Sequence, residues 1–138
     1  MNFLLDTNVV SEGRKLRADP HVKEWMDSVP SSSLFVSALV IGELRYGVEP
    51  LHRRERRQGV ALEGWLQEFI REFIDRILPV TVEIAAEWGR MNVPDRLPAV
   101  AGLLAATAKI HRMTLVTRDT GRLDRYGVAI INPFEPIR

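Results

Sequence analysis

The chain has 138 residues, 46% apolar and 27% charged, with a net charge of +1 and no cysteine. That is enough chain for one domain with its own core, and it excludes disulfide scaffolds and thiolate metal sites. No apolar run approaches the roughly 18–20 residues that span a bilayer, and the near-neutral balance gives no strong global pull toward nucleic acid.

In chain order, Phe3-Leu4-Leu5 is a short apolar run that ends at Asp6, the pattern of a strand buried on both faces. The opening residues lack the basic start and apolar length of a secretory signal, so the expectation is a cytoplasmic protein. Asp19-Pro20 opens a helix, with Asp as N-cap and Pro at the first helical position. Val22, Trp25, Met26 and Val29 continue it at helical spacing until Pro30. Leu34-Phe35-Val36 reads as a second strand, and Ser37 caps a helix running to about Val48, before Pro50.

The segment from about Arg53 to Leu78 carries the clearest helical stripe: Leu62, Trp65, Leu66, Phe69, Ile70, Phe73, Ile74, Ile77 and Leu78. Gly59 and Gly64 mark a break or bend near its start. Leu78 to Val80 is a short third strand. Thr81 caps a helix through Trp88, residues 92–98 form a proline-bounded loop, and Ala99 to Arg112 is a helix rich in small residues. Thr114 to Thr117 and Val128 to Ile131 are the last strands. Alternation of strands with helices predicts an α/β fold, one domain over residues 1–138, with a mostly parallel sheet.

In open parallel sheets, sites form outside the carboxyl ends of the strands. Asp6 stands at one such end and Asp119 just past another. Glu43 lies in the second turn of the helix that follows the second strand. Close carboxylates repel by very roughly 1–4 kcal/mol per pair at about 4 Å. A divalent cation reverses the sign, and all-oxygen ligation selects Mg²⁺ or Mn²⁺. Such an ion polarises a phosphoryl oxygen and activates water. Taken singly, Asp6 and Asp119 read equally as turn or helix caps, and Glu43 as a surface partner of Arg45 or of arginines on the long helix.

These residues carry a resemblance. Leu4-Leu5-Asp6-Thr7-Asn8-Val9-Val10-Ser11-Glu12 resembles the opening of PIN-domain ribonucleases. Gly42-Glu43-Leu44-Arg45-Tyr46-Gly47 resembles their second motif. Leu97-Pro98 through Ala105-Ala106-Thr107-Ala108 and Leu115-Val116-Thr117-Arg118-Asp119-Thr120 resemble the third and fourth, and Asn132-Pro133-Phe134 the usual tail. The match runs nearly end to end, and is nearest to the VapC toxins, including the branch with plasmid-stability and FitB-like members.

The resemblance implies a three-layer α/β/α PIN domain and a Mg²⁺- or Mn²⁺-dependent endoribonuclease acting on structured RNA. It also implies a VapB-like antitoxin partner, operator DNA reached only through that antitoxin, and a homodimer or larger assembly. Asp6, Glu43 and Asp119 carry over as the acidic set, with Thr7, Asn8 and Thr117 as supporting residues. Thr7, Asn8 and Thr117 read equally as turn and strand-end residues.

The sequence departs from the family at one position. A further Asp usually follows Leu-Pro and two small or apolar residues, and here that register reads Leu97-Pro98-Ala99-Val100-Ala101. A methyl group neither ligates a metal nor accepts a proton. Asp95, in the proline-bounded loop, is a poor substitute. Ala101 reads as an engineered Asp→Ala change in a toxic nuclease, or as natural loss that leaves a silent module binding an antitoxin as co-repressor. Either way, weak nuclease activity is expected. A phosphatase with Asp6 as nucleophile is a weaker rival, because the second acid such enzymes need two residues on is Asn8 here.

Sixteen of the 19 basic residues are arginine, which suits bidentate contact with phosphate or carboxylate, or reflects a GC-rich genome. Arg14, Lys15 and Arg17 are the nearest candidates for RNA contact. Arg53, Arg54, Arg56 and Arg57 read as a solvated face. Trp25, Trp65 and Trp88 read as core, and His21, His52 and His111 as structural or surface. Part of the long helix's stripe is a candidate groove for an antitoxin helix.

Overall fold

The computed structural model describes residues 1–121, 123 and 126–136. Five strands form one parallel sheet: β1 (Phe3–Leu5), β2 (Leu34–Ser37), β3 (Ile77–Leu78), β4 (Thr114–Val116) and β5 (Ile130–Ile131). Among the described residues six α-helices accompany them: α1 (Thr7–Arg14), α2 (Pro20–Asp27), α3 (Ala38–Arg54), α4 (Arg56–Phe73), α5 (Val82–Met91) and α6 (Ala99–His111). The strand order is β3-β2-β1-β4-β5.

That order positions the site. From β1 the chain moves outward through β2 to β3, then crosses back to place β4 on the other side of β1. The connections leaving β1 and β4 therefore diverge, which opens a crevice between their carboxyl ends. Phe3 pairs with Leu34 on one side and Thr114 on the other, and Leu5 pairs with Val116.

All residues of β1 and β4 are buried, whereas β3 and β5 at the sheet edges are half-buried. Burial of consecutive residues requires cover on both faces. The helices fall into two packed groups. In one, α1 meets α2 and α3, and α3 meets α4; in the other, α5 meets α6, which also touches β1 and β4. This is the three-layer architecture expected from the motifs. Leu4, Val36, Val40, Leu66, Ile84, Leu104 and Val116 are at most 1% exposed and lie at its centre.

Several elements differ from the sequence expectation. Residues after Asp6 form α1, which has only Val9 and Val10 as buried aliphatic residues and so shows almost no stripe. Pro50 does not stop α3, which runs four residues beyond it. A proline removes one backbone donor, and an already packed helix tolerates that loss.

The long stripe is divided. The break falls at Glu55, rather than at Gly59 or Gly64, and α4 ends at Phe73. Ile74 to Arg76 make a 3-10 turn, and Ile77 and Leu78 are strand residues. Val80, expected in the third strand, lies outside it, while α5 continues past Trp88 to Met91. The last strand is shorter than expected, since Val128 and Ala129 precede it. No described helix is long and apolar enough to cross a membrane.

Glycine is required where α3 and α4 cross. A Cβ on Gly59 would lie 2.8 Å from the backbone nitrogen of His52. The crossing is fastened by Glu63, which accepts hydrogen bonds from Arg45 (Nη2 to Oε2, 2.8 Å) and Gln67 (2.8 Å) and lies 3.1 Å from His52 Nε2. The Arg45 guanidinium, ahead of the other two partners, holds the Glu63 carboxyl far below the usual carboxylate range.

Candidate functional site

Asp6 ends β1 and begins α1. Its backbone nitrogen donates to Val116 O of β4 (2.9 Å), which completes the β1–β4 ladder. Its side chain caps α1, Oδ1 accepting from Thr7 N at 2.7 Å. A cap carboxylate also complements the positive end of the helix dipole. The cap reading of Asp6 is therefore correct, and it leaves Oδ2 turned to β4.

Oδ2 accepts from Thr117 Oγ1 at 2.7 Å, a contact between residues 111 apart in sequence. Asn8 Nδ2 stands 3.4 Å from the same oxygen. Thr117 is 1% exposed and its hydroxyl also accepts from Asp119 N at 3.1 Å. One hydroxyl thus ties the end of β1 to the turn that carries Asp119.

Glu43 reaches the same edge from α3. Ser37 caps that helix, its hydroxyl accepting from Leu39 N at 3.1 Å, so α3 starts at the carboxyl end of β2. Glu43 accepts a hydrogen bond from the Thr7 hydroxyl. The surface ion-pair reading of Glu43 does not hold, because Arg45 pairs with Glu63 instead. Thr7 thus donates to the Glu43 carboxylate, while Thr117 donates to Asp6 and accepts from the Asp119 backbone.

Ala101 sits half-buried in the first turn of α6. A crossover helix runs antiparallel to the strands it joins, so its N-terminus faces their carboxyl ends. Pro98 supplies no side-chain cap, and the first turn holds no acid. An aspartate at 101 would stand near an uncompensated positive helix end, an electrostatically favourable place.

The donor set as it stands does not fit a complete metal cage. Asp6, Glu43 and Asp119 belong to one edge, yet among the described residues no three acidic or imidazole groups are close enough to hold an ion. The position that would add a fourth carboxylate carries a methyl group. Thr7, Asn8 and Thr117 each hydrogen-bond an acid of this edge, whereas Asp95 lies exposed in the loop before α6.

The basic trio is divided. Lys15 is taken by Glu12 at 3.0 Å. Arg14 lies over the Trp65 ring, 5.8 Å from its centroid, and lines a 100 Å³ cavity with Thr7, Glu43 and Trp65. Arg17 is exposed. Trp25 is core, but Trp65 and Trp88 are only partly buried. Trp65, Phe69 and Phe73 stack along α4, with centroids 5.4 and 4.4 Å apart. They form one wall of a 330 Å³ groove completed by Val9, Met26 and Leu34. Sequence reasoning passed over Arg118, which stacks on Phe134 at 3.7 Å. The available signal was an arginine flanked by Thr117 and Asp119 at a strand end.

Comparison with known proteins agrees with this architecture. The PIN domain family model matches residues 3–129. The chain is 35% identical over 137 residues to toxin FitB of Neisseria gonorrhoeae, covering 96% of this chain and 98% of that protein. It is 32% identical over 141 residues to VapC ribonuclease Y4jK of Sinorhizobium fredii, covering 97% and 99% respectively. A solved structure of FitAB bound to the IR36 DNA fragment superposes with a TM-score of 0.79 at 33% identity, over 99% of this chain and 98% of that one. The acidic edge at the β1–β4 crevice is thus set in a known framework, and the chain belongs to the PIN-domain family.

Proposed function

We propose that the protein is an RNA phosphodiester hydrolase of the VapC toxin type, and that Ala101 impairs it in the chain as it stands. The observation that carries this reading is the Asp6–Thr117 bond, which links the first strand to the Asp119 turn. Two threonine hydroxyls and an asparagine amide hold the acids at this edge, and none of these donors is a cation. No ion pair among the described residues answers Asp6 or Glu43, which leaves them open to a cation from outside. Relatives bearing the names toxin FitB and VapC ribonuclease support the same assignment.

Asp6, Glu43 and Asp119, with an aspartate at 101, make an all-oxygen set of the kind that takes Mg²⁺ or Mn²⁺. Such an ion would supply activated water and neutralise charge on the phosphoryl oxygens, with these carboxylates as its ligands. Thr7 orients Glu43, and Thr117 fixes Asp6. The aromatic wall of α4 receives an apolar helix of a VapB-like antitoxin, and operator DNA is reached through that partner. A solved structure of FitAB bound to a DNA fragment supports the DNA part of this reading.

The methyl group at 101 favours a second reading, a silent module that binds the antitoxin as co-repressor. One experiment separates the two: incubation of total RNA with the parent chain and with Ala101→Asp, in Mg²⁺, in Mn²⁺ and in chelator. Partners around metal ligands are worth about 10–100-fold, so return of a direct ligand is expected to raise cleavage at least about 100-fold. A folded Ala101→Asp protein that leaves RNA intact in both metals selects the silent module.

A further inference from the structure

Beyond the acids, the carboxyl edge carries Arg118, a cation that the cleavage reading does not use, on the β4 side, opposite Arg14 beside Thr7 and Glu43. Arg118 lies between Thr117 and Asp119, immediately after β4, and is exposed. Its guanidinium stands 3.7 Å from the centroid of the Phe134 ring. Arg45 pairs with Glu63, Arg90 with Glu87, and Arg76 with the carbonyls of Ser31 and Leu34. Among the described residues Arg118 has no carboxylate partner, although Asp119 adjoins it in sequence.

The ring beneath Arg118 is fixed to the same edge. Val116 pairs with Ile131, and Thr117 N donates to Ile131 O at 3.0 Å. Asn132 Oδ1 then accepts from Phe134 N at 3.0 Å, and Pro133 between them is buried. The ring therefore follows β5, the strand next to β4, and adjacent strands lie about 5 Å apart.

We propose that Arg118, laid on Phe134, is a phosphate-binding residue that grips the RNA strand beside the acidic edge. The proposal rests on the RNA-hydrolase reading of that edge and adds the residue that holds the strand there. Three carboxylates repel a polyanion, so a strand approaching them needs a cation nearby. Stacking uses the face of the guanidinium and leaves its in-plane N–H groups pointing outward, the fork that matches phosphate oxygens. The aromatic contact also restricts the side chain before the ligand arrives. The ligand chemistry is a single-stranded phosphodiester backbone, and Phe134 acts as a positioning residue through Arg118.

The parent chain, impaired at 101, is the reagent for binding without cleavage. Anisotropy of a fluorescein-labelled single-stranded oligoribonucleotide in chelator, over a range of salt, reads both affinity and the number of phosphate contacts. Arg118→Ala is expected to weaken binding about 5–10-fold and to lower the slope of log K against log salt by about 0.7, the value for one contact on a single strand. Phe134→Leu is expected to weaken binding about 2–5-fold with the slope unchanged, since the charge remains while its placement is lost. In the Ala101→Asp background, Arg118→Ala is expected to raise KM by its binding factor, with kcat altered less than about twofold.

An Arg118→Ala protein with the parent's melting temperature, affinity and salt slope overturns the proposal. So does the absence of RNA binding by every form, or a loss confined to kcat. If Ala101→Asp cleaves RNA and Arg118→Ala changes nothing, the grip fails while the hydrolase reading stands. If Ala101→Asp is inert but RNA binding depends on Arg118, the grip stands and the hydrolase reading fails. Loss of affinity for an acidic peptide alone, with RNA binding intact, assigns Arg118 to a protein carboxylate and overturns the RNA assignment.

Discussion

The carboxyl edge and the α3–α4 hairpin both bind charged side chains, and they do it in opposite ways. In the hairpin, Glu63 is met by a bidentate guanidinium, an amide and an imidazole. Its charge is answered within the fold, and the result is a fastening. At the edge, Asp6 is met by a backbone amide, an asparagine amide and a hydroxyl, all neutral. Its geometry is fixed while its charge is left over. Neutral donors hold a carboxylate in place without consuming it, which is how a fold keeps acids available for an outside cation.

The sharpest way to break this comparison is Asp6→Asn in the Ala101→Asp background. Asparagine caps a helix about as well as aspartate. Thr117 has lone pairs to accept from the new amide. Cleavage is expected to fall at least about 100-fold while stability changes by about 1 kcal/mol or less. A gel assay with matched thermal melts reads both. A large loss of stability would show that the Asp6 charge is structural after all.

On the hairpin side the strongest effect is expected from Gly59→Ala. Replacing a helical glycine with alanine ordinarily gains about 0.5–1 kcal/mol. Here the new Cβ meets the His52 backbone at 2.8 Å, and a backbone in a helix crossing does not step aside. Overpacking of about 1–3 kcal/mol is expected to prevail, lowering the melting temperature by about 3–10 °C. A rise in melting temperature would mean that the two helices separate readily.

The smallest effect concerns pH. Glu63 titrates in the folded state far below its usual value near 4.5, chiefly because of Arg45. A depressed carboxyl contributes stability above its unfolded value and loses it as pH falls toward the folded one. Parent and Glu63→Gln are therefore expected to differ most at neutral pH and to begin converging only as pH falls below about 4.5, the gap narrowing steadily toward acid. Melting curves from pH 7 to 3 test this, and a gap that widens toward acid would remove Glu63 as the fastening.

Much of this arrangement was legible beforehand, for identifiable reasons. Phe3-Leu4-Leu5 and Leu115-Val116 are buried on both faces, so they read as continuous apolar runs, and their terminating acids marked the carboxyl edge. Ser37 and Thr81 announced helix starts through chemistry local to the cap. Helix α1 was illegible because two valines make no stripe. The long stripe was read too far because Ile74, Ile77 and Leu78 keep helical spacing by coincidence while the backbone passes through a 3-10 turn into β3. The individual acids could be named, but not the links between them. Thr7 with Glu43, Thr117 with Asp6 and Arg118 with Phe134 meet only once the strand order brings their elements together.

The span of 111 residues between Asp6 and Thr117 has a consequence for synthesis. A nascent chain displays Asp6 before its partner. At about 5–20 residues per second, Thr117 is not made for roughly a further 6–22 seconds. Stalled or clipped products that end before β4 lack the partner that anchors Asp6, so a ribosome making this protein meets no assembled acidic edge until β4 has been made.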